Sequence, residues 1–324
     1  MRKKRAGTLV ISLDFELFWG VHDVFEKKEY EANVKGAHEA VLTILEKFHA
    51  HQIHATWAIV GMMYFNNVNE LTKSIPEQKP TYIQKYLSPY VYLAANPIND
   101  HDNCLFFAPY LIEKIQSTPK QEMATHTFSH YYTLEKGQTK EQFRTDLQLA
   151  MEISKANGSD VKSIVFPRNQ INQDYLKACR KLGLLTYRGN EESWVYRLRS
   201  NERRRYLKRG LRFLDRYVNL FGHQTYTLPE VNNDMPMNIK SSRFLTPYSR
   251  RLKLLEGLRL HRIKMDMKHA AKKGEIYHLW WHPHNFGIDT KRNIKFLEEL
   301  LEYFWFLKKT YAFRSRTMGE LAIE

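Results

Sequence analysis

The chain has 324 residues, 43% of them apolar, with 50 Lys and Arg against 35 Asp and Glu and a net charge of +15. That length suits one large α/β domain or two ordinary ones, and the apolar content argues against wholesale disorder. Two cysteines, Cys104 and Cys179, exclude a disulfide framework and a Cys-x-x-Cys metal pair.

The basic start, Met1 to Arg5, followed by Thr8–Leu13, imitates a signal peptide, but Asp14 and Glu16 interrupt the apolar run too early. No later run approaches the ~18 apolar residues needed to span a bilayer. The expectation is a soluble, cytoplasmic protein, in a compartment where two unpaired thiols stay reduced. The positive charge favours an anionic partner: nucleic acid, a membrane surface, or a charged or lipid-linked sugar. No aromatic platform or Cys/His finger is present, so specific nucleic-acid binding is not expected.

In chain order, Thr8–Leu13 reads as a buried strand ending in Asp14-Phe15-Glu16, two carboxylates that share a direction if the strand continues. Val34–His51 has helical apolar spacing through Val41, Leu45 and Phe48, and Ile53–Val60 is the next strand. This β–α–β rhythm implies parallel neighbours. His49, His51 and His54 belong to the helix end and strand start, at the end opposite the strand end that carries Asp14 and Glu16. Met62 to Lys120 contains Pro76, Pro80, Pro89, Pro97 and Pro109 and predicts loops and short helices, with His101-Asp102 read as a surface turn and Ala108–Ser117 as a helix. Gln121–Thr125 is a strand that runs into His126-Thr127-Phe128-Ser129-His130. Thr139–Ala156 is helical, Val161–Phe166 a strand ending in Pro167-Arg168-Asn169-Gln170, Gln173–Leu182 a helix and Leu184–Tyr187 a strand. From Arg197 to Phe221 basic and apolar residues alternate as in a basic amphipathic helix. Thr225–Tyr248 reads as loop and Arg250–Lys273 as a second basic helix. Glu275–Trp281 is a strong strand ending in His282-Pro283-His284, and Ile294–Lys309 is helical. No internal repeat or low-complexity linker divides the chain, which predicts one domain, 1–324, with a basic helical insertion at about 195–225.

Two imidazoles four residues apart, His126 and His130, share a face if the backbone there is helical. Such a pair with a carboxylate can hold a divalent ion, most often Zn²⁺, though it can equally be two unrelated histidines. The distribution of polar residues is more telling. Asp14/Glu16, His126/His130, Arg168 and His282 each follow directly on an apolar strand, and strand ends of a parallel α/β barrel converge on one face. The bland alternative is a set of solvated rim residues.

With these residues in view, the sequence resembles the polysaccharide deacetylase family, carbohydrate esterases built on a distorted (β/α) barrel. Ser12-Leu13-Asp14-Phe15-Glu16 looks like its first motif with one residue between the acids. His126-Thr127-Phe128-Ser129-His130 matches its His-Ser/Thr-x-x-His motif, Phe166-Pro167-Arg168 its strand-end arginine, and Leu279-Trp280-Trp281-His282 its Leu-x-x-His. Asn190–Trp194 matches its Asp-Trp motif poorly, and Asp-x-Glu replaces the usual adjacent acids. The resemblance implies a distorted (β/α)7-8 barrel that removes N-acetyl groups from an amino sugar of a polysaccharide or lipid-linked glycan precursor, during cell-surface polysaccharide assembly. It implies Glu16, His126 and His130 as ligands of a divalent metal, most simply Zn²⁺. Asp14 would be the general base, Arg168 the group holding Asp14 ionised, and His282 the general acid, with Asp14 and Glu16 open to exchange of roles and His278 or His284 open as the acid. Trp194, Trp281 and Asn169 are the expected substrate contacts, beside Trp19 and Trp280 as further candidates. Arg197–Arg216 is either a solvated insertion or a peripheral surface for an anionic membrane (the inner membrane face) or lipid-linked glycan. The competing readings are a hydrolase of another non-peptide C–N bond and an inactive barrel that binds anionic surfaces.

Overall fold

A computed structural model of the chain describes residues 5–196, 205–230, 232 and 234–324. The first strand, β1 (Thr8–Phe15), is buried along its whole length, because layers cover it on both sides. That is why it reads as a continuous apolar run rather than an alternating one. The helix Lys27–Ala50 follows, with a reciprocal Glu26–Glu29 capping box, and turns Val34, Ala37, Val41, Ile44 and Phe48 inward. Strands β2 (Ala55–Ile59), β3 (Gln121–Thr125), β4 (Ser163–Ile164) and β5 (Thr186–Gly189) then come in order, every pairing parallel. The helices Pro109–Ser117, Lys140–Ala156 and Gln173–Lys181 connect them, as a β–α–β rhythm requires.

The segment Thr225–Tyr248, expected as loop, corrects that expectation by contributing two strands, β6 (Met237–Lys240) and β7 (Arg243–Phe244). β6 pairs with β5, and β7 pairs with β8 (Ile276–Trp281), which lies against β1. Between them Ser241 N donates to Gly189 O on one side and Ser242 N to His278 O on the other, both at 2.8 Å. One extended stretch therefore bridges the two ends of the sheet order β6-β5-β4-β3-β2-β1-β8-β7, and the sheet curls into a parallel, distorted (β/α) barrel. A short β9 (Arg314–Arg316) pairs with Thr8–Val10 of β1, while Ser12–Phe15 of the same strand pairs with β2. The helices Glu256–Lys273 and Thr290–Tyr311 complete the cover on the far side. The expected helix Arg250–Lys273 starts instead with a 3-10 stretch, Arg250–Leu255. Of the expected basic segment, 197–204 lies outside the described residues and Arg205–Asp215 is helical.

The loop after β8 is pressed onto the first helix through two glycines. A Cβ on Gly36 would lie 2.1 Å from Gly287 O, so only glycine permits this approach. This packing fixes where the chain carrying His282 and His284 leaves the barrel.

Candidate active site at the strand ends

The chain turns at the ends of β1, β3, β4, β5 and β8 bring their polar residues to one mouth. Glu16 follows β1 directly. Its Oε2 lies 3.2 Å from His126 Nε2 and 3.0 Å from His130 Nε2. All three residues are buried. Space for the Glu16 carboxylate depends on Gly20, since a Cβ there would fall 2.0 Å from Glu16 Cδ.

The two histidines meet Glu16 by a different route from the helical one expected. Residues 126–130 form no helix, and Thr127 (φ 65°) and His130 (φ 53°) are left-handed. Asp146, on the helix Lys140–Ala156, holds this loop. It accepts from Phe128 N at 2.8 Å, from Ser129 N at 3.2 Å and from the Ser129 hydroxyl. Burial outweighs these bonds and pushes the Asp146 carboxyl up to about 6.

The donor set suits a cation. His126 Nδ1 lies 2.8 Å from Val165 O, and a carbonyl only accepts, so Nδ1 carries the proton in the neutral ring and Nε2 presents a lone pair. That lone pair faces a carboxylate oxygen, and two acceptors at 3.2 Å need positive charge between them. Burial pushes His130 down to about 4, which keeps it neutral, and its Nδ1 has no partner among the described residues. Burial would raise the Glu16 carboxyl, but the facing imidazoles of His282, His126 and His130 hold it well below the usual range. One carboxylate and two imidazoles, with ligand atoms within 4.8 Å of one another, form a three-ligand site that leaves positions open. Glu16, His282 and His284 form a second such group on the carboxylate's other oxygen.

Asp14 sits beside this centre. The residue that holds it is Arg188, in β5, and this corrects the expectation placed on Arg168. Arg188 Nη1 and Nη2 reach the two Asp14 oxygens at 2.6 and 2.7 Å, a bidentate pair. The same guanidinium donates to Ser12 Oγ (3.1 Å) and Asn169 Oδ1 (2.8 Å) and lies 4.1 Å from the Trp280 ring centre. Burial alone would raise the Asp14 carboxyl, but the Arg188 charge brings it below its ordinary value. Arg168 instead pairs with Asp23 at 2.5 Å and lies over the Tyr132 ring.

The other expected residues separate clearly. His282 Nε2 is 3.6 Å from Asp14 Oδ2 and 3.5 Å from Glu16 Oε1, and its side chain is 23% exposed, more open than the other groups at the centre. His278 lies beneath, bonded to Ser12 Oγ at 2.8 Å, and burial pushes it down to about 3. His284 is buried, 4.0 Å from Glu16 Oε1, and is likewise pushed to about 3. Trp281 is fully enclosed against Phe48 and Phe286, so it cannot line the mouth as expected, and Trp19 is enclosed too. Asn169 is half-buried, with its side-chain oxygen accepting from Arg188 and its carbonyl from Asn190. Trp194 remains half-exposed in the loop after β5, with its ring 6.1 Å from Phe221. Arg188, Asp146 and Gly20 were not singled out from sequence for the site.

The polysaccharide deacetylase family model matches residues 29–187. No curated protein matches by sequence. Among solved structures, one assigned as a polysaccharide deacetylase from Mycobacterium smegmatis aligns with a TM-score of 0.60 at 12% identity, over 100% of this chain and 91% of that one. One from Pseudomonas aeruginosa PAO1 gives 0.57 at 10%, over 98% and 89%. PuuE allantoinase gives 0.56 at 11%, over 100% and 91%. At these identities the structural likenesses speak for the fold alone.

Proposed function

From the match of residues 29–187 to the polysaccharide deacetylase family model we propose that the chain is a metal-dependent hydrolase of that family that removes the N-acetyl group from an amino sugar of a polysaccharide or lipid-linked glycan precursor. The single observation that carries this reading is the meeting of Glu16, His126 and His130 beside the Arg188-held Asp14. A divalent cation, most simply Zn²⁺, held by Glu16, His126 and His130 would supply Lewis acidity toward the acetamide carbonyl and the attacking water.

The remaining chemistry falls to the chain's own groups. Arg188 keeps Asp14 ionised and fixes both of its oxygens, so the carboxylate is ready to accept a proton from the attacking water. His282, across the same gap from Asp14 and open to the mouth, delivers a proton to the leaving nitrogen. Water adds to the carbonyl carbon, the C–N bond breaks, and acetate and a free amine leave. Trp194, at the rim, offers an aromatic face to a pyranose ring.

The test is to incubate metal-loaded protein with nucleotide-linked, lipid-linked and oligomeric acetylamino sugars and to measure acetate and amine together. Equal release of both from one class supports the reading. Metal-loaded, folded protein that releases acetate from none of them overturns it, and ammonia or amine without acetate assigns the site to another C–N bond.

A further inference from the structure

The helix Arg205–Asp215 lies on the barrel the wrong way round. At 100° per residue, Tyr206, Leu207, Leu211, Phe213, Leu214 and, in the turn that follows, Val218 cover an arc of roughly 160°. Lys208, Arg209, Arg212, Asp215 and Arg216 occupy the other side. In a helix that only packs on a domain, the apolar arc faces the core. Here Asp215 and Lys208 are the buried residues, while Tyr206 (83%), Leu207 (56%), Leu214 (52%) and Val218 (55%) are exposed.

The polar side is what fastens the helix down. Asp215 is fully buried and accepts from Tyr196 at 2.8 Å and from the amides of Leu220 and Phe221, with Arg243 at 3.6 Å and Arg262 at 3.7 Å. Lys208 Nζ lies over the Trp194 ring. A charged network at the base therefore holds an apolar stripe outward. Leu254 and Leu258, also exposed and flanked by Arg251 and Lys253, stand at the head of the helix whose Arg262 donates to Asn219 and Gly222.

We propose that this stripe is a docking surface for an anionic membrane. An exposed apolar arc bordered by arginines suits the boundary between acyl chains and negatively charged headgroups. A second copy of the chain is disfavoured by charge, because it would set Arg209, Arg212 and Arg216 against their own counterparts on a chain of +15. The helix is tied to Trp194 and Tyr196 in the loop after β5, so docking brings that edge of the barrel mouth to the lipid surface. This inference stands apart from the catalytic reading.

The experiment uses the full chain with phosphatidylcholine vesicles, with and without phosphatidylglycerol, read by sedimentation and independent of activity. Wild type is expected to partition to the anionic vesicles and to come off as salt is raised. Leu207→Ala with Leu214→Ala, both at exposed positions, is expected to weaken partitioning about tenfold or more, and Arg209→Gln about fivefold. No preference for anionic vesicles, or unchanged binding by the double variant, overturns the proposal. So does a wild-type dimer that the double variant converts to monomer, since a second copy would then be the occupant.

Discussion

Replacing Arg188 with Met removes a guanidinium of which four of the five N–H groups are used: two on Asp14, one on Ser12 and one on Asn169. Arg188 is fully buried and Asp14 nearly so. Breaking a buried, bidentate pair by deleting one partner leaves an uncompensated charge and costs roughly 3–5 kcal/mol, a large part of the ~5–15 kcal/mol that holds a domain folded. The lost Arg188 charge also frees the Asp14 carboxyl to rise toward, and with burial above, its ordinary value. Two readouts follow. Urea unfolding should show the stability loss, and the acid limb of the pH–rate profile should move to higher pH. Adding Asp14→Asn to Arg188→Met should cost less than the sum of the single changes, because the orphaned charge is gone. Strict additivity of the two, or an Arg168→Ala variant with an equal effect on the acid limb, would refute the assignment of Arg188 to Asp14.

Further outcomes are expected. Purified protein should carry one divalent ion per chain by elemental analysis, lost in His126→Ala and in Glu16→Gln, while far-UV circular dichroism stays that of a folded barrel. Gly20→Ala should lower metal affinity about tenfold or more, because its Cβ takes the place of the Glu16 carboxylate. Asp146→Ala should do the same from a distance by releasing the loop of His126 and His130. His282→Gln should keep the ion yet lower turnover by about 10²-fold or more. The folded-state values of Asp14 and Glu16 lie below their ordinary 3.8 and 4.5. Their contribution to stability is therefore complete above those values and is lost as pH falls through the lower folded ones. The urea midpoint of wild type should drop in that acid window, and an Asp14→Asn variant should show a shallower drop.

The residues that follow an apolar run were legible in the sequence, since Asp14, Glu16, His126, His130 and His282 each mark the point where the apolar run stops and the barrel mouth begins. Arg188 was not, because it lies within the four residues of β5, where a charged side chain looks like the strand's end. Its burial is possible only because Asp14 arrives from 174 positions away. Arg168 attracted the role instead by standing just past β4, and nothing local distinguishes an arginine aimed at Asp23 from one aimed at Asp14. The histidine pair was legible as a pair, but not its backbone, because the left-handed turns at Thr127 and His130 are imposed by Asp146 below. Strand β6 was hidden by the Pro and Asn residues around it. Neighbours on both sides make Met237–Phe244 extended, and local propensity did not announce it.

The pairing of β1 sets an order of events for the chain. Thr8–Leu13 lies against Ile276–Trp281 across some 268 positions of sequence, and Thr8–Val10 against Arg314–Arg316. Closing loops of that length is slow and entropically late. The pairings of Thr8–Leu13 with β8 and β9 therefore wait for residues 276–316, and a chain cut short before residue 276 would leave β1 held by β2 alone, with its other edge bare beside Asp14 and Glu16.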